Sequence, residues 1–420
     1  MDVTVRQSRL AGSVRAPPSK SHTHRAFFCA ALARGKSRLL LPLKCDDTLV
    51  TTTALSAVGA TIQWKSKEAA VIGAMKLRNP SGPILCGESG TTLRFMTAVC
   101  ATMPFETEIS GEPSLLRRPI RDLVVALEKL GASSACQDEC PPIRVKGPIK
   151  GGSIEIRGDI SSQYISALLI AAPLAKTPVN IGIVGPLESK GYVSLTLEMQ
   201  RKFGIKTRSK DDLTRFEIEP QEYHPSNVQI EGDWSSAAFL LVAAALSGEK
   251  IRVEGLDQAS LQADRQLLNI LEMMEANVRT DSNSVTMERS KLRHVEVDVS
   301  DCPDLFPAVC VLCAAADGVS TITGTRRLGL KESDRVLAMG EGLRQMGIET
   351  SNTKNSFKIH GGKPRGARVD PHHDHRIAMA FAALGLCTGG LAIRNAECVH
   401  KSYPSFWDDL RSLGAEASSS

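Results

Sequence analysis

Residues 235–256 read SSAAFLLVAAALSGEKIRVEGL: a polar head, an apolar run from Ala237 to Leu246, and a short β-rich run, KIRVEGL. A helix of about three turns that is apolar nearly all round cannot lie on a surface. It belongs inside a domain with sheets packed around it. The same order of head, Ala-rich helix and strand occurs six times, at heads Lys20, Gly90, Ser162, Ser235, Asp304 and Asp374, with steps of 70, 72, 73, 69 and 70 residues. Self-similarity at a fixed period means repeated supersecondary units, and six of them fill the chain.

Each repeat also holds a second, more amphipathic helix. The residues just beyond its end are Gly59, Gly131, Gly204, Asn277, Gly347 and Gly414. Gly, and after it Asn, tolerates the left-handed backbone that closes a helix, so these positions support the alignment of the repeats. The last repeat has no strand left after Gly414. The N-terminal strand Thr4–Arg9 is expected to fill that gap, which puts both ends of the chain in one domain.

A chain of 420 residues predicts two domains of roughly 200 residues. Its 42% hydrophobic and 23% charged content is that of a globular protein. The net charge is +5, its cations are spread along the chain, and only 4% of residues are aromatic, so nucleic acid is not an expected partner. Small anions fit such a charge better. The apolar run is about half of what a bilayer crossing needs, so no membrane association is expected. The N-terminus has no apolar signal core, and the 11 Cys sit mostly inside apolar helical patterns. Both features predict a cytoplasmic protein with reduced thiols. Cys310 and Cys313 have no second pair at zinc-site spacing.

The heads carry the chemistry. LGLKESDR, Leu328–Arg335, sets Glu332 between Lys331 and Arg335 immediately before the helical pattern VLAMGEGLRQM. A helix start favours anions, and a carboxyl among fixed charges can be tuned for proton transfer. The plainer reading is a capped surface helix with Glu332 satisfying its first turn. The other heads supply Lys20, Ser21 and Arg25; Gly90, Thr91 and Arg94; Ser161, Ser162 and Gln163; Asp233, Ser235 and Ser236; Asp304; and Asp374, His375 and Arg376. Arg117, Arg118, Ser189, Tyr192 and Lys401 stand at second-helix heads. Together they read as a single divided anion site. The serine pairs are also readable as N-caps, Ser235–Ser236 above all, and Asp374 as a brace for His375 or Arg376. His372, His373 and His375 suggest a metal, but adjacent residues in extended chain point in opposite directions.

The motifs SKSHTHRAFFCAALA, GESGTTLRF, GEPSLLRRP, SSQYISALL, LKESDR and DHRIAMAF, in this order along the whole chain, resemble the 5-enolpyruvylshikimate-3-phosphate synthase family. The resemblance implies an α/β fold of two domains, an inside-out α/β barrel of six βαβαββ repeats, three per domain. The upper domain would be 19–230, on the shikimate phosphate side. The lower would be 1–18 plus 231–420, carrying Asp304, Glu332, His375, Arg376 and Lys401, with crossings near Pro17–Pro18 and Gln229–Glu231. It further implies transfer of the enolpyruvyl group of phosphoenolpyruvate to the 5-hydroxyl of shikimate 3-phosphate, with release of phosphate, on the route to chorismate and the aromatic amino acids. No metal or organic cofactor is implied, and a monomer is expected.

By the same resemblance Glu332 gives and takes the proton at C3, Asp304 contacts the attacking hydroxyl, and Lys20 serves both substrates. Lys20, Gly90, Arg118, Gln163, Arg335, Arg376 and Lys401 match the phosphoenolpyruvate set. Lys20, Ser21, Arg25, Ser161, Ser162, Gln163, Ser189, Asp304 and Lys331 match the shikimate 3-phosphate set. Glu88, His24 and Phe95 depart from the familiar pattern, so glyphosate sensitivity is not implied. The related transferase acting on UDP-N-acetylglucosamine carries a reactive Cys ahead of an Arg-Pro pair; GEPSLLRRP has none. A non-catalytic anion binder would have no use for both Asp304 and Glu332.

Overall fold

The computed structural model describes residues 1–419. The chain forms two compact units, Pro18–Ile230 and Met1–Pro17 with Glu231–Ser420. Each has its own apolar core.

In the Pro18–Ile230 unit three helix pairs follow one another: α1 (Lys20–Leu32) and α2 (Asp46–Ala57), α3 (Gly90–Cys100) and α4 (Arg121–Lys129), α5 (Ser162–Ala171) and α6 (Lys190–Lys202). The other unit repeats the plan with α7 (Trp234–Ser247) and α8 (Leu267–Met273), α9 (Phe306–Ala314) and α10 (Arg335–Gln345), α11 (His375–Thr388) and α12 (Phe406–Ser412). The first helix of each pair is the interior one, and every residue of α7 is buried.

Each repeat contributes to one of six four-stranded sheets. In five of the six sheets the strand after the interior helix pairs in parallel with one edge strand, as Val179–Val184 does with Gly152–Arg157, and antiparallel with a hairpin on its other side. Both units close on themselves. Asn227–Gln229 returns to pair with Lys36–Leu40, and Leu10–Arg15 pairs with Gly248–Glu254.

The N-terminus enters the last sheet, but with different bounds from those read in the sequence. Val3–Val5 alone does so, between Leu391–Ile393 and a final strand, Ala417–Ser419. That final strand was not legible because Ser-rich chain carries no strand pattern; its pairing with Val3–Val5 comes from backbone hydrogen bonds. Five of the expected helix closers, Gly59, Gly131, Gly204, Gly347 and Gly414, have positive φ. In the fourth repeat the left-handed residue is Glu275 (φ 60°), not Asn277, because α8 ends earlier. Arg293 Nε meets the Glu275 carboxylate at 3.0 Å.

Candidate active site

The α7 and α11 heads are capped by carboxylates. Asp233 accepts from Ser236 N at 2.8 Å, and Asp374 accepts from Arg376 N at 3.0 Å. The serines 235–236 are therefore not caps; Ser235 Oγ instead donates to Asp264. The α9 head differs. It enters through a 3-10 turn, Pro303–Leu305, whose cap position is Cys302 with no side-chain cap bond. Asp304 lies within that turn rather than at its cap. Its carboxylate meets Arg335 Nη1 at 2.8 Å, Arg376 Nη2 at 3.1 Å and Lys331 Nζ at 3.7 Å.

A similar division of labour shapes LKESDR. Asp334, not Glu332, is the N-cap of α10, accepting from Val336 N and Leu337 N at 3.1 Å each. Glu332, two residues earlier, accepts from Arg335 Nη2 at 2.9 Å. Arg335 is 1% exposed and its guanidinium fans onto three carboxylates: Nε to Asp374 at 2.8 Å, Nη1 to Asp304 and Nη2 to Glu332. A planar fork of fixed donors suits such a junction, as a lysine would not. It brings Asp304 and Glu332 into one constellation.

Charge follows from this packing. Burial alone would raise the carboxyl pKa of Asp304, but Arg376, Lys331 and Arg335 outweigh burial and hold it well below the usual range, against the opposing effect of Glu332. Burial lowers Lys331 to about 8, although Asp304 opposes the change. Arg376 and Lys401 are each 5% exposed, and His375 is buried beside Asp374. His372 is not part of this group: it is exposed, 3.3 Å from Glu341.

In the Pro18–Ile230 unit the heads of α1, α3 and α5 are capped by Ser19, Ser89 and Ser161. Lys20 Nζ lies 2.9 Å from Asp47. Arg25 is buried; its Nε donates to Thr196 Oγ1 at 2.8 Å and its Nη groups to Ser21 O, Tyr192 O and Ser166 Oγ. Most of its donors are thus committed to the protein. Burial brings it down to about 10.

Gly90, Arg118 and Gln163 come together. A Cβ placed on Gly90 would sit 2.5 Å from Arg94 Nη1, 3.0 Å from Arg118 Nη1 and 3.5 Å from Gln163 Oε1. Gln163 Nε2 also donates to Thr91 Oγ1 at 3.1 Å. Ser162 is buried in the first turn of α5. Ser189 is buried with left-handed backbone (φ 59°, ψ 44°), and its side chain does not cap α6. A non-Gly residue held there stores strain of the kind found at ligand sites. Glu88 accepts from Ser114 Oγ at 2.6 Å.

Asp47 and Asp264 carry no signal of their own in the sequence. Asp374 reads there as one of the heads, or as a brace for His375 or Arg376. Its partner, Arg335, is 39 residues away, and no local pattern announces that bond.

The two three-repeat units thus have cationic helix heads in both and a guanidinium-linked carboxylate cluster in one. The fold matches EPSP synthase from Acinetobacter baumannii with a TM-score of 0.83, at 27% identity over all of both chains. It also matches the enolpyruvyl transferase NikO from Streptomyces tendae at 0.80, where 17% identity speaks for fold alone; 99% of this chain and 98% of that one are covered. The chain belongs to the EPSP synthase (3-phosphoshikimate 1-carboxyvinyltransferase) family, whose model matches residues 5–410. Proteins named 3-phosphoshikimate 1-carboxyvinyltransferase from Methanocorpusculum labreanum and Dehalococcoides mccartyi are 40% and 39% identical to it, each over 99% of both chains.

Proposed function

We propose that this enzyme transfers the enolpyruvyl group of phosphoenolpyruvate to the 5-hydroxyl of shikimate 3-phosphate, releasing phosphate, in the synthesis of chorismate and the aromatic amino acids. The observation that carries the proposal is the Arg335 junction, which places Asp304 and Glu332 on one guanidinium at 2.8 and 2.9 Å. The reaction needs two such groups. Glu332 protonates C3 of the enol phosphate while C2 is attacked; Asp304, held as the anion, orients the 5-hydroxyl and receives its proton. Phosphate then leaves the tetrahedral adduct, taking up the proton that Asp304 received, as Glu332 removes a proton from the C3 methyl.

Fixed cations offset the charge of two phosphates and two carboxylates. Lys20, Gly90, Arg118, Gln163, Arg335, Arg376 and Lys401 serve phosphoenolpyruvate. Lys20, Ser21, Arg25, Ser161, Ser162, Gln163, Ser189, Asp304 and Lys331 serve shikimate 3-phosphate. Arg335 acts chiefly by holding the carboxylates, and Arg25 has few donors left for a ligand.

The partners are therefore small molecules rather than nucleic acid. No helix among the described residues is long and apolar enough to cross a membrane. The eleven cysteines, most of them buried, fit a reducing cytoplasm, and we place the enzyme there as a monomer.

The test is phosphate release from phosphoenolpyruvate with shikimate 3-phosphate, with UDP-N-acetylglucosamine, and with no acceptor. Release with shikimate 3-phosphate alone is expected. Release with the sugar nucleotide, or with no acceptor at all, would contradict the assignment.

A further inference from the structure

The stretch SLQADRQ, Ser260–Gln266, has no role in the chemistry described so far, yet it is strapped to the α7 head. Gln262 Oε1 accepts from Trp234 N at 3.0 Å, while Nε2 donates to Gly232 O at 2.8 Å and to Glu231 Oε1 at 2.5 Å. Ser260 Oγ donates to the same Glu231 oxygen at 2.6 Å. This strap fixes Asp264, in the 3-10 turn Ala263–Gln266, where it accepts from Ser235 Oγ.

Asp264 is 1% exposed. The charged groups facing it are Asp304 from the Pro303–Leu305 turn, Arg376 from α11 and Asp233 from the α7 cap; the Cys302 thiol also lies in their field and is kept neutral by burial. Asp304 acts on Asp264 as a like charge, and Arg376, 3.1 Å from Asp304, acts on both carboxyls. Two carboxyls so placed do not both ionise freely. Asp304 has Lys331 and Arg335 as well and keeps its charge.

We propose that Asp264 is a positioning residue of this active site: a buried carboxyl, fixed by Ser235 and the strap, that through Arg376 sets how strongly that face binds an anion. Burial and the charge of Asp304 raise Asp264 to about 6, against the effects of Arg376 and Ser235. Above that pH the ionised Asp264 competes with a substrate anion for Arg376; below it, Arg376 is left to Asp304 and the substrate. The inference rests on the reading that Arg376 binds phosphoenolpyruvate.

Asp264→Asn keeps an acceptor for Ser235 and stays uncharged at every pH. Its KM for phosphoenolpyruvate is compared with that of the unaltered enzyme between pH 5.5 and 8. The substrate phosphate itself titrates near pH 6, so the ratio of the two KM values at each pH isolates the enzyme group. The expected ratio, unaltered enzyme over variant, is near one at the acid end. It should rise to about fivefold or more at pH 8, as for a like charge several ångströms away in a site of intermediate dielectric. Ser235→Ala removes a bond that lowers Asp264, so the midpoint of the KM titration should move to higher pH in a chain that retains the carboxyl.

Stability gives a readout independent of turnover. A carboxyl whose folded pKa lies above its unfolded value binds its proton more tightly in the folded state. The stability of the unaltered enzyme then falls as pH rises from about 4 to about 6, and the deficit is complete above that window. Asp264→Asn lacks this deficit, so its Tm should gain on that of the unaltered enzyme across the window. A pH-independent KM ratio in an active enzyme, an unmoved midpoint in Ser235→Ala, or a Tm lowered equally at every pH would overturn the proposal and leave Asp264 a structural strut. An unaltered enzyme with no turnover would instead remove the reading of Arg376, and the Tm comparison would still judge Asp264.

Discussion

Glu332 lies before the cap of α10 rather than in it, so its carboxylate is available for chemistry while Arg335 fixes its position at 2.9 Å. Glu332→Gln retains the shape and an acceptor for Arg335 but has no carboxyl proton to exchange. Its kcat should fall on the order of 10²-fold or more while calorimetric binding of both substrates persists. Near-normal kcat would remove Glu332 from the proton transfer. At Gly90 the atoms that a Cβ would meet are the ends of Arg94, Arg118 and Gln163. Long side chains can yield, so Gly90→Ala should fold, but with displaced cations. An overpacked site registers such a change at roughly 1–3 kcal/mol, so KM for phosphoenolpyruvate should rise by about fivefold or more. An unchanged KM would place Gly90 outside the pocket. Asp304 and Glu332 are legible in the sequence as helix heads, while the roles proposed for them come from the family resemblance. Asp334, Asp374 and Asp264 were harder to sort, since capping, bracing and catalysis use the same residue type. Only three-dimensional partners distinguish the roles.

The elements themselves were largely legible. An apolar helix every 70 or so residues leaves few alternatives, and the interior helices begin at or within a few residues of their expected heads. The misplacements came where backbone rather than side chains decides the outcome: the left-handed Glu275, and the Ser-rich final strand held by Val3–Val5. In α10 the Asp334 cap leaves Glu332, the proposed proton donor, outside the helix. Asp334→Ala should cost about 1 kcal/mol through two lost cap bonds and should lower kcat as the Glu332–Arg335 segment loosens. Asp334→Asn, which can still cap, should restore both. Thermal unfolding and initial rates decide the matter. An unchanged Tm in the alanine variant would mean that α10 does not depend on this cap.

On the scale of the whole molecule, the core splits into two clusters, one drawn from Ala26 to Ile230 and the other from Val3–Ala16 with Trp234–Ala415. Cooperative unfolding across both is not required of such a chain. Calorimetry should give an unfolding enthalpy larger than the van't Hoff value, and equality of the two would show a single cooperative unit. Each unit supplies three interior helices, with charged or polar side chains at their heads. The reaction itself leaves a signature that no binding protein or simple phosphatase would produce. Protonation of C3 makes a transient methyl group, and removal of a proton from it regenerates the methylene. Turnover of phosphoenolpyruvate with shikimate 3-phosphate in deuterium oxide, followed by mass spectrometry of the product, tests this most directly. Deuterium in the enolpyruvyl methylene of the product is the predicted result; product formed without deuterium there would contradict the addition–elimination assigned to Asp304 and Glu332.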